Sequence, residues 1–165
     1  MLLLVMPTSG HVLIVCTGNI CRSPMGEALV RHALQAEDEP LKSLKVISAG
    51  VAARGGEKAT NHSVTALKKA GLDISNHVSR PLTEKLIKDA LAIICMTESH
   101  MAMVNIMAEP QPKHIILFRQ FAKDGNTEIP DPYGCPLNHY EACRDEMVEA
   151  LPSLVEYLKG LIKKS

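Results

Sequence analysis

The chain has 165 residues, 46% hydrophobic and 22% charged, a length and composition that suit one globular domain with a proper core. Eighteen Lys and Arg balance eighteen Asp and Glu, so there is no global basic excess to release counterions from a nucleic acid. No apolar run approaches the ~20 residues of a membrane span; the opening run stops at Pro7 without a basic flank, unlike an export signal.

Residues 1–10 therefore read as an N-terminal extension, and 11–165 as the single domain. The five cysteines, odd in number and without an export signal, read as thiols of a cytoplasmic protein.

In chain order, residues 11–15 are a continuous run rich in β-branched residues, the pattern of a strand buried on both faces. Ser23 is placed to cap the helix that follows, with Pro24 at its first position and Ala28, Leu29, His32 and Ala33 as its stripe to about Gln35. Residues 44–50 are a second strand, and the glycine-rich stretch 51–60 is a surface loop. A helix over 61–69 stops at Gly71, and Thr83 caps a short one. Residues 90–96 form a third strand, Thr97 or Ser99 caps a helix to about Met107, and 114–118 form a fourth strand. Residues 119–133, with Pro130 and Pro132, are a long loop, and a last helix runs from about 137 to 163. Pro152 is expected to kink or interrupt it. Strands alternating with helices predict a three-layer α/β/α fold around a parallel sheet, with ligands bound beyond the carboxyl ends of the strands.

Chemistry concentrates in Cys16-Thr-Gly-Asn-Ile-Cys-Arg-Ser-Pro24. A phosphate needs several donors converging on one small volume, which a tight loop of backbone N–H groups and a helix N-terminus supply. Gly18 lets the backbone turn, Asn19 tolerates unusual dihedrals, and Arg22 offers a planar fork for two oxygens. The electropositive loop favours the thiolate of Cys16, which can attack phosphorus. Cys135, His139 and Cys143 stand at four-residue steps, but no fourth ligand or Cys-x2-Cys knuckle accompanies them, so helix packing is the preferred reading over zinc.

The loop resembles the signature of the low-molecular-weight protein tyrosine phosphatases. The resemblance continues at Ser48-Ala-Gly50, Asn76-His-Val78, Ile94-Cys-Met96 and Asp131-Pro-Tyr133, spanning roughly residues 11–160. It implies a four-stranded, flavodoxin-like parallel sheet and a two-step phosphatase without metal or cofactor. By the same resemblance Cys16 is the nucleophile, Arg22 the phosphate clamp and Asp131 the general acid. Thr17, Gly18, Asn19, Ile20, Cys21 and Ser23 line the phosphate loop, with Ser23 also able to hydrogen-bond the sulfur of Cys16. Ser48 and His77 support the loop, Arg54 and Tyr133 stand on the pocket wall, and Cys21 matches a second cysteine able to trap the oxidised nucleophile as a disulfide. A phosphorylated protein or peptide is the implied partner, with neither nucleic acid nor membrane, and the chain is expected to be a monomer or weak dimer.

Relatives on the same scaffold differ. Thioredoxin-coupled arsenate reductases need two further cysteines seven positions apart, and here Ala102 stands seven after Cys95. Protein-arginine phosphatases resemble the chain more closely but typically carry threonine where Ile20 stands. An apolar Ile20 suits an aromatic ring and points to phosphotyrosine, although residues 51–55 lack the aromatic lip of many relatives. A flavodoxin-like flavin-binding module is the alternative from another class, disfavoured by two Phe, three Tyr and no Trp for stacking.

Overall fold

A computed structural model describes residues 10–163 of the chain. The extension expected over 1–10 lies outside the described residues except for Gly10. The elements follow in the order β1 (His11–Cys16), α1 (Arg22–Gln35), a 3-10 turn (Leu41–Ser43), β2 (Lys45–Gly50), α2 (Asn61–Lys69), α3 (Glu84–Lys88), β3 (Ala90–Cys95), α4 (Glu98–Met107), β4 (Ile115–Leu117) and α5 (Leu137–Lys163). All strand pairs are parallel, in the order β2-β1-β3-β4. This is the doubly wound, flavodoxin-like arrangement, whose switch point falls between β1 and β3.

Strand alternation sends side chains to two cores. Val12 and Ile14 of β1, Val46, Ala92 and Ile94 face α1, α2 and α5, joining Met25, Leu29, Leu67, Met147 and Leu158. Leu13 and Val15, with Ile47, Ile93 and Leu117, face the other way toward Ile87 of α3 and Val104 of α4. Continuous apolar strands are thus buried on both faces, and β1 is fully enclosed from Val12 to Val15.

Two local expectations change, and a third is narrowed. Ser23 lies inside α1, whose N-cap is Cys21, with no side-chain cap bond; the Ser23 hydroxyl is held instead by the sulfur of Cys16 and the amide of Asn19. The buried face of α1 is Met25, Gly26, Leu29, Val30 and Leu34, while His32 is exposed. Helix α5 runs through Pro152 without interruption, anchored on one side by Tyr140, Cys143 and Met147 and on the other by Leu154, Val155 and Leu158. Burial of that face on both sides of the proline outweighs the backbone hydrogen bond it removes. Thr60, Thr83 and Thr97 each accept a backbone N–H as helix caps, and Gly71 closes α2 in the left-handed region at φ 83°.

Candidate active site

The turn from β1 into α1 sits at the carboxyl end of the sheet's central strands, where the sheet ends and backbone groups lose their ladder partners. Five of its carbonyls are tied back into the scaffold. Those of Cys16 and Thr17 accept from Val51 and Ala52, that of Ile20 from Thr60, that of Cys21 from the Ser63 hydroxyl, and that of Asn19 from His77 Nε2 at 2.8 Å. With the carbonyls tied back, the N–H groups of Gly18, Ile20 and Cys21 have no protein acceptor among the described residues. These free donors and the N-terminus of α1 form an anion cradle.

Cys16 lies at its base, 2% exposed. Its Sγ is 2.8 Å from Ser23 Oγ and accepts the Asn19 backbone N–H at 3.3 Å. Asn19 Nδ2 donates to Ser23 Oγ at 2.7 Å, so the serine proton is free to point at sulfur. Two donors thus converge on the sulfur of Cys16.

Asn19 is the hub of this network and is fully buried at φ 57°. Its Nδ2 also donates to Ser48 Oγ at 2.9 Å, and its Oδ1 accepts the Arg80 backbone N–H at 2.9 Å. Ser48 Oγ donates in turn to Glu27 Oε1, while Arg31 holds the other carboxylate oxygen. Ser48 and His77 therefore both contact the loop, whereas Glu27 belongs to the network without having been singled out in the sequence.

Arg22 is 4% exposed and donates from Nη1 to the Ile129 carbonyl at 3.0 Å. Its Nη2 reaches Thr17 Oγ1 at 3.3 Å and lies 3.6 Å from Asp131 Oδ2. The Asp131 carboxylate is half exposed at the rim, its Oδ1 accepting the Tyr133 N–H in a local turn. Tyr133 is 66% exposed beside it, Arg54 is exposed with no ion pair, and Ile20 packs against the edge of the larger core. Cys21 is buried between Thr60 and Tyr140, its Sγ 3.5 Å from Tyr140 Oη, and burial raises its thiol pKa. All five cysteines are free thiols, and burial pushes Cys95 and Cys143 up to about 12.

Cys135 precedes α5 while Cys143 donates to the Pro130 carbonyl, and no group of three ligating side chains is set to hold a metal among the described residues. No described helix is long and apolar enough to cross a membrane.

The family model for low molecular weight phosphotyrosine protein phosphatases matches residues 11–164. The chain belongs to this family. Among low-molecular-weight phosphatases it is 37% identical over 148 residues to a protein-arginine-phosphatase of Bacillus subtilis, covering 90% of this chain and 96% of that one. It is 35% identical over 122 residues to the low molecular weight protein-tyrosine-phosphatase Etp of Escherichia coli, covering 74% and 76%. A solved structure of the arginine phosphatase YwlE, a mutant with a phosphorylated active-site serine, superposes with a TM-score of 0.81 at 34% identity over 90% of this chain and 95% of that one.

A second residue not singled out in the sequence is His100. It stands at the third position of α4, where a capping box normally has Glu or Gln, and it reaches across the sheet end to Thr17 at 2.9 Å. Its spacing from Thr97 was the one available signal.

Proposed function

We propose that this low-molecular-weight phosphatase hydrolyses phosphotyrosine in proteins or peptides through a phosphocysteine intermediate. The observation that carries the reading is the sulfur of Cys16, hydrogen-bonded by two donors at the base of an N–H-lined loop, with Arg22 and Asp131 at its mouth.

In the first step the Cys16 thiolate attacks phosphorus. The S–P bond forms, the bond from phosphorus to the phenolic oxygen breaks, and Asp131 delivers its proton to that oxygen. Loop N–H groups and Arg22 stabilise the equatorial oxygens as charge builds on them. In the second step Asp131 takes a proton from water as the water oxygen attacks phosphorus. The S–P bond breaks, and the departing thiolate is received by the Ser23 hydroxyl and the Asn19 N–H. Gly18 and Thr17 shape the loop, Ser48 and His77 hold it, and Ile20, Arg54 and Tyr133 border the incoming residue. No metal or cofactor enters either step. Peroxide would oxidise the Cys16 thiolate to a sulfenic acid, which would condense with the Cys21 thiol to a disulfide and water. The chain acts as a cytoplasmic monomer or weak dimer.

Wild-type protein should hydrolyse an aryl phosphate in the presence of chelator and be blocked by vanadate. Cys16→Ser should lower kcat by on the order of 10⁴-fold or more. Full activity in that variant would sink the mechanism.

A second reading, phosphoarginine as substrate, is favoured by the arginine-phosphatase relative matching 96% of its own length. Ile20 argues against it, since an apolar side chain at the rim packs on a ring and gives a guanidinium no hydrogen bond. Steady-state kinetics on phosphotyrosine and phosphoarginine peptides decide: the tyrosine reading requires the higher kcat/KM on phosphotyrosine, and Ile20→Thr should shift the ratio toward arginine.

A further inference from the structure

Thr17 and His100 meet at the mouth of the phosphate loop from two different strand ends, one after β1 and one at the start of α4. His100 is 4% exposed. Its Nδ1 lies 3.2 Å from the backbone N of Thr97, which can only donate. The ring is neutral, because burial and the nearby Arg22 guanidinium push its pKa down to about 4. A neutral imidazole that accepts at Nδ1 carries its proton on Nε2. That proton is therefore donated to Thr17 Oγ1, 2.9 Å away.

Arg22 Nη2, also a donor only, lies 3.3 Å from the same oxygen. A hydroxyl has two lone pairs and one proton. Both lone pairs of Thr17 are thus filled, and no acceptor for its proton lies within hydrogen-bond reach among the described residues. Thr17 is exposed, adjoins Cys16, and shares Arg22 Nη2 with Asp131.

We propose that His100 is a positioning residue for the phosphate site: with Arg22 it saturates the Thr17 oxygen, so that the Thr17 hydroxyl presents its proton to the oxyanion bound in the loop. The same pair of bonds holds one edge of the Arg22 fork in place. The inference rests on the phosphatase reading for its substrate. The hydrogen-bond relay itself needs only a tetrahedral oxyanion in the cradle.

The test is a double-mutant cycle read with inorganic phosphate as the ligand and aryl phosphate as the substrate. Thr17→Val and His100→Leu should each weaken phosphate binding about 10-fold and lower kcat/KM alike, the size expected for losing a hydrogen bond to a charged group. The double variant should be no worse than Thr17→Val alone. His100→Gln, whose carboxamide can accept from Thr97 and donate to Thr17, should stay near wild type.

Additive losses in the double variant, unchanged phosphate affinity in His100→Leu, or a Gln variant as poor as Leu would overturn the proposal. If His100→Leu fails to fold, nitrogen chemical shifts of His100 in the wild type decide. A bare Nδ1 and a protonated Nε2 that responds to phosphate support the relay, and the opposite tautomer refutes it. Intact coupling in phosphate binding without any aryl phosphate turnover would remove the phosphatase reading alone.

Discussion

Asn19 carries more of the site than its size suggests, because one amide binds Ser23, Ser48 and the Arg80 backbone while its own main chain serves Cys16 and His77. Removing the amide orphans buried partners, which costs more than the bonds themselves contribute. Asn19→Ala is expected to lower stability by about 2–3 kcal/mol in denaturant titrations and kcat/KM by at least ~10-fold. Asn19→Gly suits the φ of 57° but leaves the same orphans, so it should remain well below wild type in both measurements. Asp131 behaves differently. Its carboxylate is half exposed and lies 3.6 Å from Arg22, so the contact adds little stability. Asp131→Asn should leave the melting temperature nearly unchanged while kcat on an aryl phosphate falls by about 10²–10⁴-fold. An equal loss of stability would mean that the residue is structural.

At the scale of elements, the end of β2 is pressed against the phosphate loop. A Cβ on Gly50 would stand 2.5 Å from the Thr17 carbonyl oxygen and 2.9 Å from the Asn19 backbone N, both main-chain atoms with little freedom to yield. Gly50→Ala is therefore expected to destabilise by about 2 kcal/mol or more and to depress activity with it, by moving the two loop residues it touches. Phosphate affinity and unfolding midpoint, measured on the same variant, should fall together. The helices show why some of the chain was readable and some was not. Thr83 and Thr97 act as the caps their positions suggested, because a cap is a local bond between near neighbours. Ser23 has the same local chemistry, yet its hydroxyl is claimed by Cys16 and by Asn19. His32 fitted a helical stripe by spacing alone, but α1 turns Met25, Leu29 and Leu34 inward instead. Pro152 broke a local rule that packing along α5 overrides.

For the whole molecule, histidines whose pKa is lowered couple stability to pH. His100 has a folded pKa of about 4 against an ordinary 6.5, and His11, held below 6.5 chiefly by burial, acts in the same direction. Between these values the unfolded chain binds protons that the folded chain does not. Stability is therefore complete above about pH 6.5, falls as pH drops toward 4, and loses nothing further from His100 below that. Unfolding free energies across this window should decline by about 3 kcal/mol on account of His100, and His100→Gln should flatten the decline. A variant with an unchanged slope would show that other groups dominate.

The apolar β-branched runs, their alternation with helices and the Cys16-to-Pro24 loop determined the layered parallel fold and the anion cradle by themselves. Those features depend on residues close together in the chain, whose periodicity and spacing are visible without neighbours. Tertiary structure alone decided the strand order β2-β1-β3-β4, which brings the start of α4 beside the loop after β1. It also decided the partners across long separations: His100 on Thr17, Glu27 on Ser48, and the Ile129 carbonyl on Arg22. These contacts carry no local periodicity, and they arise only when the sheet sets distant strand ends side by side.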